Sequence, residues 1–119
     1  MGPLSDKSQK FAVRMAKLRR MLNDKQREYI LAGQLVRSGT AIGALVCESE
    51  YAQSRLDFIS KLSIALKEAN ETRYWLTILY EAGYITEVEY KSVVSDCSEL
   101  VAMLVASIRT AKGHTKTDS

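Results

Sequence analysis

The sequence predicts an all-α protein, an antiparallel up-down-up-down four-helix bundle, and three observations lead to this prediction. Apolar residues recur at helical spacing in four segments, no segment alternates as a strand does, and the 119 residues include one proline and six glycines. The polar segments between the helices are short, and short connections favour antiparallel neighbours. We assign residues 8–112 to this single domain and expect residues 1–7 and 113–119 to be disordered ends.

The first helix is predicted from about Ser8 to Leu22. Its core positions follow the i, i+4, i+7, i+11 spacing of an amphipathic helix and are Phe11, Met15, Leu18 and Leu22. Basic residues occupy the other side of this helix and continue into the polar segment after it: Lys7, Lys10, Arg14, Lys17, Arg20, Lys25 and Arg27.

The charge of the chain is unevenly distributed, although its net value is only +3. Residues 1–37 hold nine Lys or Arg against three Asp or Glu, whereas residues 38–99 hold five against ten. Cations that share a surface suit a polyanion, because each neutralised phosphate releases counterions. We therefore predict that the seven basic residues named above bind nucleic acid; the alternative is an ordinary solvated helix face.

The second helix is predicted from about Tyr29 to Glu48, and its apolar stripe is Leu31, Leu35, Ile42 and Val46. Beside this stripe lie Gly39 and Gly43, although each glycine costs a helix interior about 1 kcal/mol relative to alanine. Small residues four apart let another backbone approach closely. We predict that these glycines form a packing face, offered to a neighbouring copy of the chain.

The third helix is predicted from Ser54, its N-cap, to Ala82, with Gly83 after its end. Toward its C-terminal end lie Tyr74 and Trp75, which we interpret as anchors of a protein interface. Stacking on unpaired bases is the alternative function of these two aromatic residues.

The fourth helix is predicted from Thr86, where Glu89 completes a capping box, to about Lys112. Gly113 is expected to end it. Its apolar stripe consists of Tyr90, Val93, Val94, Cys97, Leu100, Val101, Leu104 and Ile108.

A polar network is predicted between the second and third helices. Arg37 lies on the second helix, and Glu68 and Glu71 form an i, i+3 pair on the third. Because a charged group removed from water must be paired, we expect Arg37 to contact one of these glutamates. An exposed arginine is the alternative, and acid-base catalysis by the two carboxylates is a more remote one.

Several kinds of chemistry are excluded by composition. The single histidine, His114, lies in the expected tail, which excludes a Glu-x-x-His di-iron site and histidine-dependent nucleophiles within the fold. A structural zinc site needs four ligands of the Cys or His type, and the chain does not supply them. We therefore predict that the protein is not an enzyme and has no cofactor. Cys47 and Cys97 are interpreted as two buried free thiols of a cytoplasmic protein, and a disulfide between them is the alternative.

No membrane function is predicted. The N-terminal segment MGPLSDKSQK has no apolar core of a secretory signal, and no continuous apolar run approaches the roughly 20 residues that span a bilayer.

Two segments of the chain resemble a known bacterial family: LVRSGTAIGALVCESE (residues 35–50) and SRLDFISKLSIALKEANETRYWLTILYEAGYIT (residues 54–86). The family is that of four-helix bundle proteins first known from intervening sequences of bacterial 23S rRNA genes, which includes the accessory variability protein of diversity-generating retroelements. The resemblance covers roughly residues 10–112.

The resemblance implies an antiparallel four-helix protomer, with five protomers in a ring around a central channel. Retroelement members are understood to bind nucleic acid and a reverse transcriptase through basic surfaces, whereas no clear activity is attached to the members encoded in rRNA genes. We expect a non-enzymatic homo-oligomer that binds RNA, DNA or a ribonucleoprotein partner. The alternative is a structural or protein-interaction module without nucleic-acid affinity.

Overall fold

Four antiparallel helices form the bundle in a computed structural model that describes the backbone of residues 2–118 and the side chains of residues 2–113. The helices are α1 (Pro3–Gln26), α2 (Ile30–Ser49), α3 (Arg55–Glu81) and α4 (Glu87–Asp118). Each helix packs against the helix that follows it, and α4 closes the bundle against α1 along a looser seam. The predicted fold class is confirmed: within residues 2–118 there is no strand.

The helix α1 begins five residues earlier than the sequence predicted. Pro3 stands in the first turn, where its missing N–H is not needed, and Asp6 places a negative charge near the positive end of the helix dipole. Leu4 packs against the core, and Ser8 is buried. Residues 3–7 are therefore helical, which corrects the prediction of a disordered N-terminal end; Met1 lies outside the described residues.

The predicted caps of α3 and α4 are confirmed. The Ser54 hydroxyl accepts the Asp57 N–H at 3.0 Å. Gly83 has φ +87°, the left-handed conformation expected just after a helix. Thr86 and Glu89 cap each other, since each backbone N–H donates to the other side chain, at 2.8 and 3.1 Å.

The helix α4 continues past Gly113 to Asp118. Glycine lowers helix stability by about 1 kcal/mol but does not break a helix as proline does, and no proline follows it here. The backbone of residues 113–118 continues this helix, the expected disorder of the tail stays a prediction, and Ser119 lies outside the described residues.

The core contains the apolar stripes that the sequence predicted, with residues from all four helices. A buried hydrogen bond crosses it, because the Thr72 hydroxyl on α3 donates to the Ser38 hydroxyl on α2 at 2.9 Å. Ser38 in turn donates to a carbonyl of its own helix, so neither hydroxyl is left unsatisfied.

The glycines of α2 pack against α1 of the same chain. A Cβ atom at Gly39 would lie 2.4 Å from Cγ of Met15, which is fully buried. At Gly43 it would lie 3.2 Å from the Ser8 carbonyl oxygen. The close approach is therefore intramolecular, which corrects the prediction of a contact with a neighbouring copy: Ser8 and Met15 of α1 pack on this face of α2.

By length and hydropathy alone, α2 would be able to cross a membrane, although it contains no continuous apolar run of that length. This is weak evidence, because a core helix of a soluble protein has the same composition. Here α2 packs between α1 and α3, and its Arg37 pairs with acidic residues of α3.

Candidate nucleic-acid interface

The seven basic residues predicted to bind nucleic acid divide into two groups. Lys7 and Arg14 face α4 and are paired with its carboxylates: Lys7 Nζ contacts Glu99, and Arg14 Nη1 lies 2.5 Å from Asp96 Oδ2. Arg14 also donates to the Ser92 hydroxyl at 2.7 Å. These two cations are therefore partly neutralised within the protein.

The other five are Lys10, Lys17, Arg20, Lys25 and Arg27, which we call the α1 strip. Their side chains are exposed, and no carboxylate of the residues with described side chains lies within 4 Å of them. From Lys10 to Lys25 the helix rises about 22 Å at 1.5 Å per residue. Asp6 and Asp24 are the acidic residues of α1, so positive charge predominates along this length.

The seam between α1 and α4 is an open groove with charged edges and an apolar floor. The charged edges are the pairs described above, and the floor includes Phe11 of α1 and Leu100 of α4. Toward the other end, Leu18 and Val93 continue the same floor. The α4 carboxylates lie beside two α1 cations, where they compete with any phosphate that approaches those cations.

The turn between α1 and α2 carries an exposed tyrosine that the sequence interpretation missed. Arg27 adopts the left-handed conformation with φ 51°, and Glu28 N–H donates to the Leu22 carbonyl at 3.0 Å. The Glu28 carboxylate accepts the Ala32 N–H at 2.8 Å and so caps α2. Tyr29 follows, 59% exposed. One feature of the sequence indicates this exposure: Tyr29 precedes Leu31, the first residue of the apolar stripe of the second helix.

Tyr74 and Trp75 occupy different environments although they are adjacent. Tyr74 is 58% exposed, whereas Trp75 is half-buried and donates its Nε1–H to Glu71 at 3.2 Å. Their rings meet edge to face with centroids 5.1 Å apart. Ile64, on the same helix, is also exposed. The helix α3 therefore carries apolar side chains on its outer side as well as in the core.

The structure brings together the three residues of the predicted polar network. Arg37 Nη1 lies 3.4 Å from Glu68 Oε1, and Nη2 contacts Glu71. Its Nε donates to Gln34 at 3.2 Å. Arg37 of α2 thus contacts both carboxylates of α3, and Glu71 also accepts the indole N–H of Trp75 within α3.

The two cysteines are free and differ in exposure. Cys97 is buried, and its Sγ–H donates to the Ala69 carbonyl at 3.3 Å. Burial raises the pKa of the Cys97 thiol to about 11. Cys47 is exposed, so the prediction of two buried thiols is confirmed for Cys97 and wrong for Cys47.

Residues 4–106 match the family model described as 23S rRNA-intervening sequence protein. The chain belongs to this family. The resemblance seen in the sequence is thereby confirmed, and the matched region includes every residue of the α1 strip. Among residues with described side chains, no group of three or more His, Cys, Asp or Glu is placed to hold a metal ion.

Another member of the family has a known crystal structure. It is a protein of unknown function from the S23 ribosomal protein family of Bacteroides thetaiotaomicron, determined at 1.70 Å resolution. The two chains are 49% identical, and the alignment covers 89% of this chain and 95% of that chain with a TM-score of 0.88. None of the curated proteins compared with the chain matches it.

Proposed function

We propose that this 23S rRNA-intervening sequence family protein is a non-enzymatic, homo-oligomeric bundle that binds nucleic acid, alone or within a ribonucleoprotein, through the α1 strip. One observation carries the proposal. The strip presents five exposed cations without a carboxylate partner among the described side chains, while Lys7 and Arg14 on the same helix are paired.

Several cations elsewhere on the bundle differ from those of the α1 strip because they are paired with carboxylates. Arg37 contacts two glutamates, Lys61 lies 3.9 Å from both Glu48 and Asp57, and Lys91 lies 3.3 Å from Glu87. Such exposed pairs contribute little to stability, but they lower the local positive potential. The strip lacks this neutralisation, so its five cations are available to a polyanion along one helix.

The non-enzymatic part of the proposal is supported by the engagement of Glu68 and Glu71. These glutamates are the i, i+3 carboxylate pair that the sequence offered for acid-base chemistry, and both contact Arg37. A general base needs a lone pair directed at its substrate, whereas both carboxylates are directed at the Arg37 guanidinium of α2.

The homo-oligomeric part is supported by the outer side of α3, where Ile64 is 42% and Tyr74 58% exposed. Exposed apolar and aromatic side chains are more frequent at protein interfaces than on the rest of a surface. The family resemblance gives five as the expected number of protomers. Light scattering at several concentrations tests this: a constant 13.3 kDa species would contradict assembly, and Ile64→Glu should lower the mass of an assembled protein.

The test of nucleic-acid binding compares two triple variants that carry the same net charge. Lys10→Gln/Lys17→Gln/Arg20→Gln removes three cations of the strip. The control removes three exposed cations outside it, in the variant Lys67→Gln/Arg109→Gln/Lys112→Gln.

Binding of duplex DNA and of a structured RNA is measured over a salt series. The logarithm of the affinity should fall linearly with the logarithm of salt, with a slope of about −0.7 to −0.9 per neutralised phosphate. The strip variant should flatten this slope by about 2, and the control should change it by less than about 0.5. Equal effects of the two variants would contradict the assignment to the strip. No binding by the wild type even at low salt would favour the alternative, a structural module without nucleic-acid affinity.

A further inference from the structure

We infer that the turn between α1 and α2 holds an unpaired base, stacked on Tyr29 and flanked by Arg27, so that the protein prefers single-stranded RNA or RNA loops to duplex. This inference rests on the proposed function and specifies its ligand class. The α1 strip supplies the attraction to phosphates, and the turn at its end selects unpaired bases.

The ring of Tyr29 is available for stacking. Its side chain is 59% exposed, the next residue, Ile30, is 80% exposed, and no aromatic ring of the described side chains stacks on it. Tyr80 and Tyr90, by contrast, stack on each other with centroids 4.6 Å apart. Two adjacent exposed apolar side chains form a surface that a flat apolar partner would cover.

Arg27 strengthens the case because of its backbone conformation. With φ 51° it occupies the left-handed position after a helix, where glycine is usual and a side chain costs free energy. An arginine kept in such a conformation indicates a use for its side chain. That side chain is exposed, without a carboxylate partner among the described side chains, two residues before Tyr29.

The charge around the turn favours a nucleic acid over an apolar protein segment as the occupant. Within residues 19–29, Arg19, Arg20, Lys25 and Arg27 outnumber Asp24 and Glu28, and the Glu28 carboxylate is directed to the N–H of Ala32. The carboxylates at this end of the bundle that belong to other helices are Glu81, Glu87 and Glu89; Glu87 is paired with Lys91, and Glu89 caps α4. A base in a duplex has both faces covered by its neighbours, whereas an unpaired base offers a face to an aromatic ring. The turn therefore suits single strands and loops.

Tyr29→Ala is the decisive substitution, and Tyr51→Ala is its matched control. Tyr51 is also exposed, at 82%, but it lies in the connection from α2 to α3 at the opposite end of the bundle, beside Glu50. Tyr29→Phe keeps the ring and loses only the hydroxyl. Unchanged helicity and melting temperature of all three variants verify that they are folded.

Fluorescence anisotropy is used to titrate a 12-nucleotide oligouridine RNA and a blunt RNA duplex of equal phosphate number. Tyr29→Ala should weaken binding of the oligouridine about 10-fold, since stacking on one aromatic ring has an effect of this order. The salt slope and the duplex affinity should stay unchanged, because the ring carries no charge. Tyr29→Phe and Tyr51→Ala should each bind within about twofold of wild type.

A 2-aminopurine placed in the single strand gives a direct readout of stacking. Its fluorescence should be quenched by the wild type and by Tyr29→Phe, and not by Tyr29→Ala. If Tyr29→Ala binds the single strand as wild type does, or loses single strand and duplex equally, the inference is overturned while the proposed function stands. If the wild type binds neither RNA at low salt, the inference is overturned, and if it also fails to bind duplex DNA, the proposed function is overturned with it.

Discussion

Gly39→Ala tests the close packing of α1 on α2. The new Cβ would lie 2.4 Å from Met15 Cγ and 2.9 Å from Met15 Sδ, whereas ordinary contact begins near 3.4 Å. Met15 is fully buried and has to move by about 1 Å, and overpacking of this kind costs about 1–3 kcal/mol. The higher helix propensity of alanine stabilises the folded protein by about 1 kcal/mol and so offsets part of this cost. We expect a net loss of about 1 kcal/mol in the free energy of unfolding.

Gly33→Ala is the matched control, because the same substitution in the same helix meets nothing within 4 Å. It should gain up to about 1 kcal/mol from helix propensity alone. Urea unfolding followed by far-UV circular dichroism should therefore separate Gly33→Ala from Gly39→Ala by about 2 kcal/mol, with equal m-values.

A second variant identifies the residue responsible for the loss. Met15→Ala removes the side chain that the new methyl group meets, so in the double variant the cost of Gly39→Ala should fall by about 0.5–3 kcal/mol, the range measured for contacting residues. If Gly39→Ala is as stabilising as Gly33→Ala, or if Met15→Ala does not change its effect, the packing described for this face is refuted.

Three further predictions concern charge and thiol chemistry. Arg37→Met should lower the free energy of unfolding by about 1 kcal/mol, because it removes the partner of two glutamates; an unchanged melting temperature would reject a stabilising pair. Asp96→Asn/Glu99→Gln should strengthen RNA binding and steepen its salt slope by up to about 2, since two more α1 cations become available; an unchanged slope would contradict the masking of these cations. Burial raises the pKa of the Cys97 thiol to about 11, so at pH 8 this thiol is protonated as well as inaccessible. Ellman's reagent should therefore modify Cys47 alone in the folded protein. Equal reaction rates of both thiols would contradict the burial of Cys97.

The helices and their caps could be predicted because their determinants are local. Thr86 and Glu89 lie three residues apart, and this spacing alone predicts the start of α4. The start of α1 depends on tertiary packing as well. Pro3 permits a helix, but Leu4 and Ser8 are held by contacts with the rest of the bundle that the sequence alone does not display.

Gly39 and Gly43 are a second case in which residue spacing predicts a feature of a helix but not its packing partner. Their spacing correctly indicated that a backbone approaches α2 closely, but spacing does not say which backbone. The answer depended on which face of α2 packs against α1, a property of the tertiary arrangement that spacing within one helix does not contain.

The candidate site could be predicted in part. Positive charge on the first helix is visible in the sequence, whereas the pairing of Lys7 and Arg14 depends on which face of α4 packs against α1. Pairing of Arg37 with a glutamate of α3 follows from the rule that a charge removed from water must be paired, and the structure places the half-exposed arginine beside both Glu68 and Glu71. The exposed ring of Tyr29 was missed, because tyrosine at the start of an apolar helix is normally expected to be buried.

The most direct test of the proposed function is lysine footprinting in the presence and absence of RNA, with each site quantified by mass spectrometry after acetylation. The proposal predicts that RNA protects Lys10, Lys17 and Lys25, and that Lys67 and Lys112 react as they do in the free protein. Equal reactivity of the three α1 lysines with and without RNA, or protection centred on α3 and α4, would contradict it.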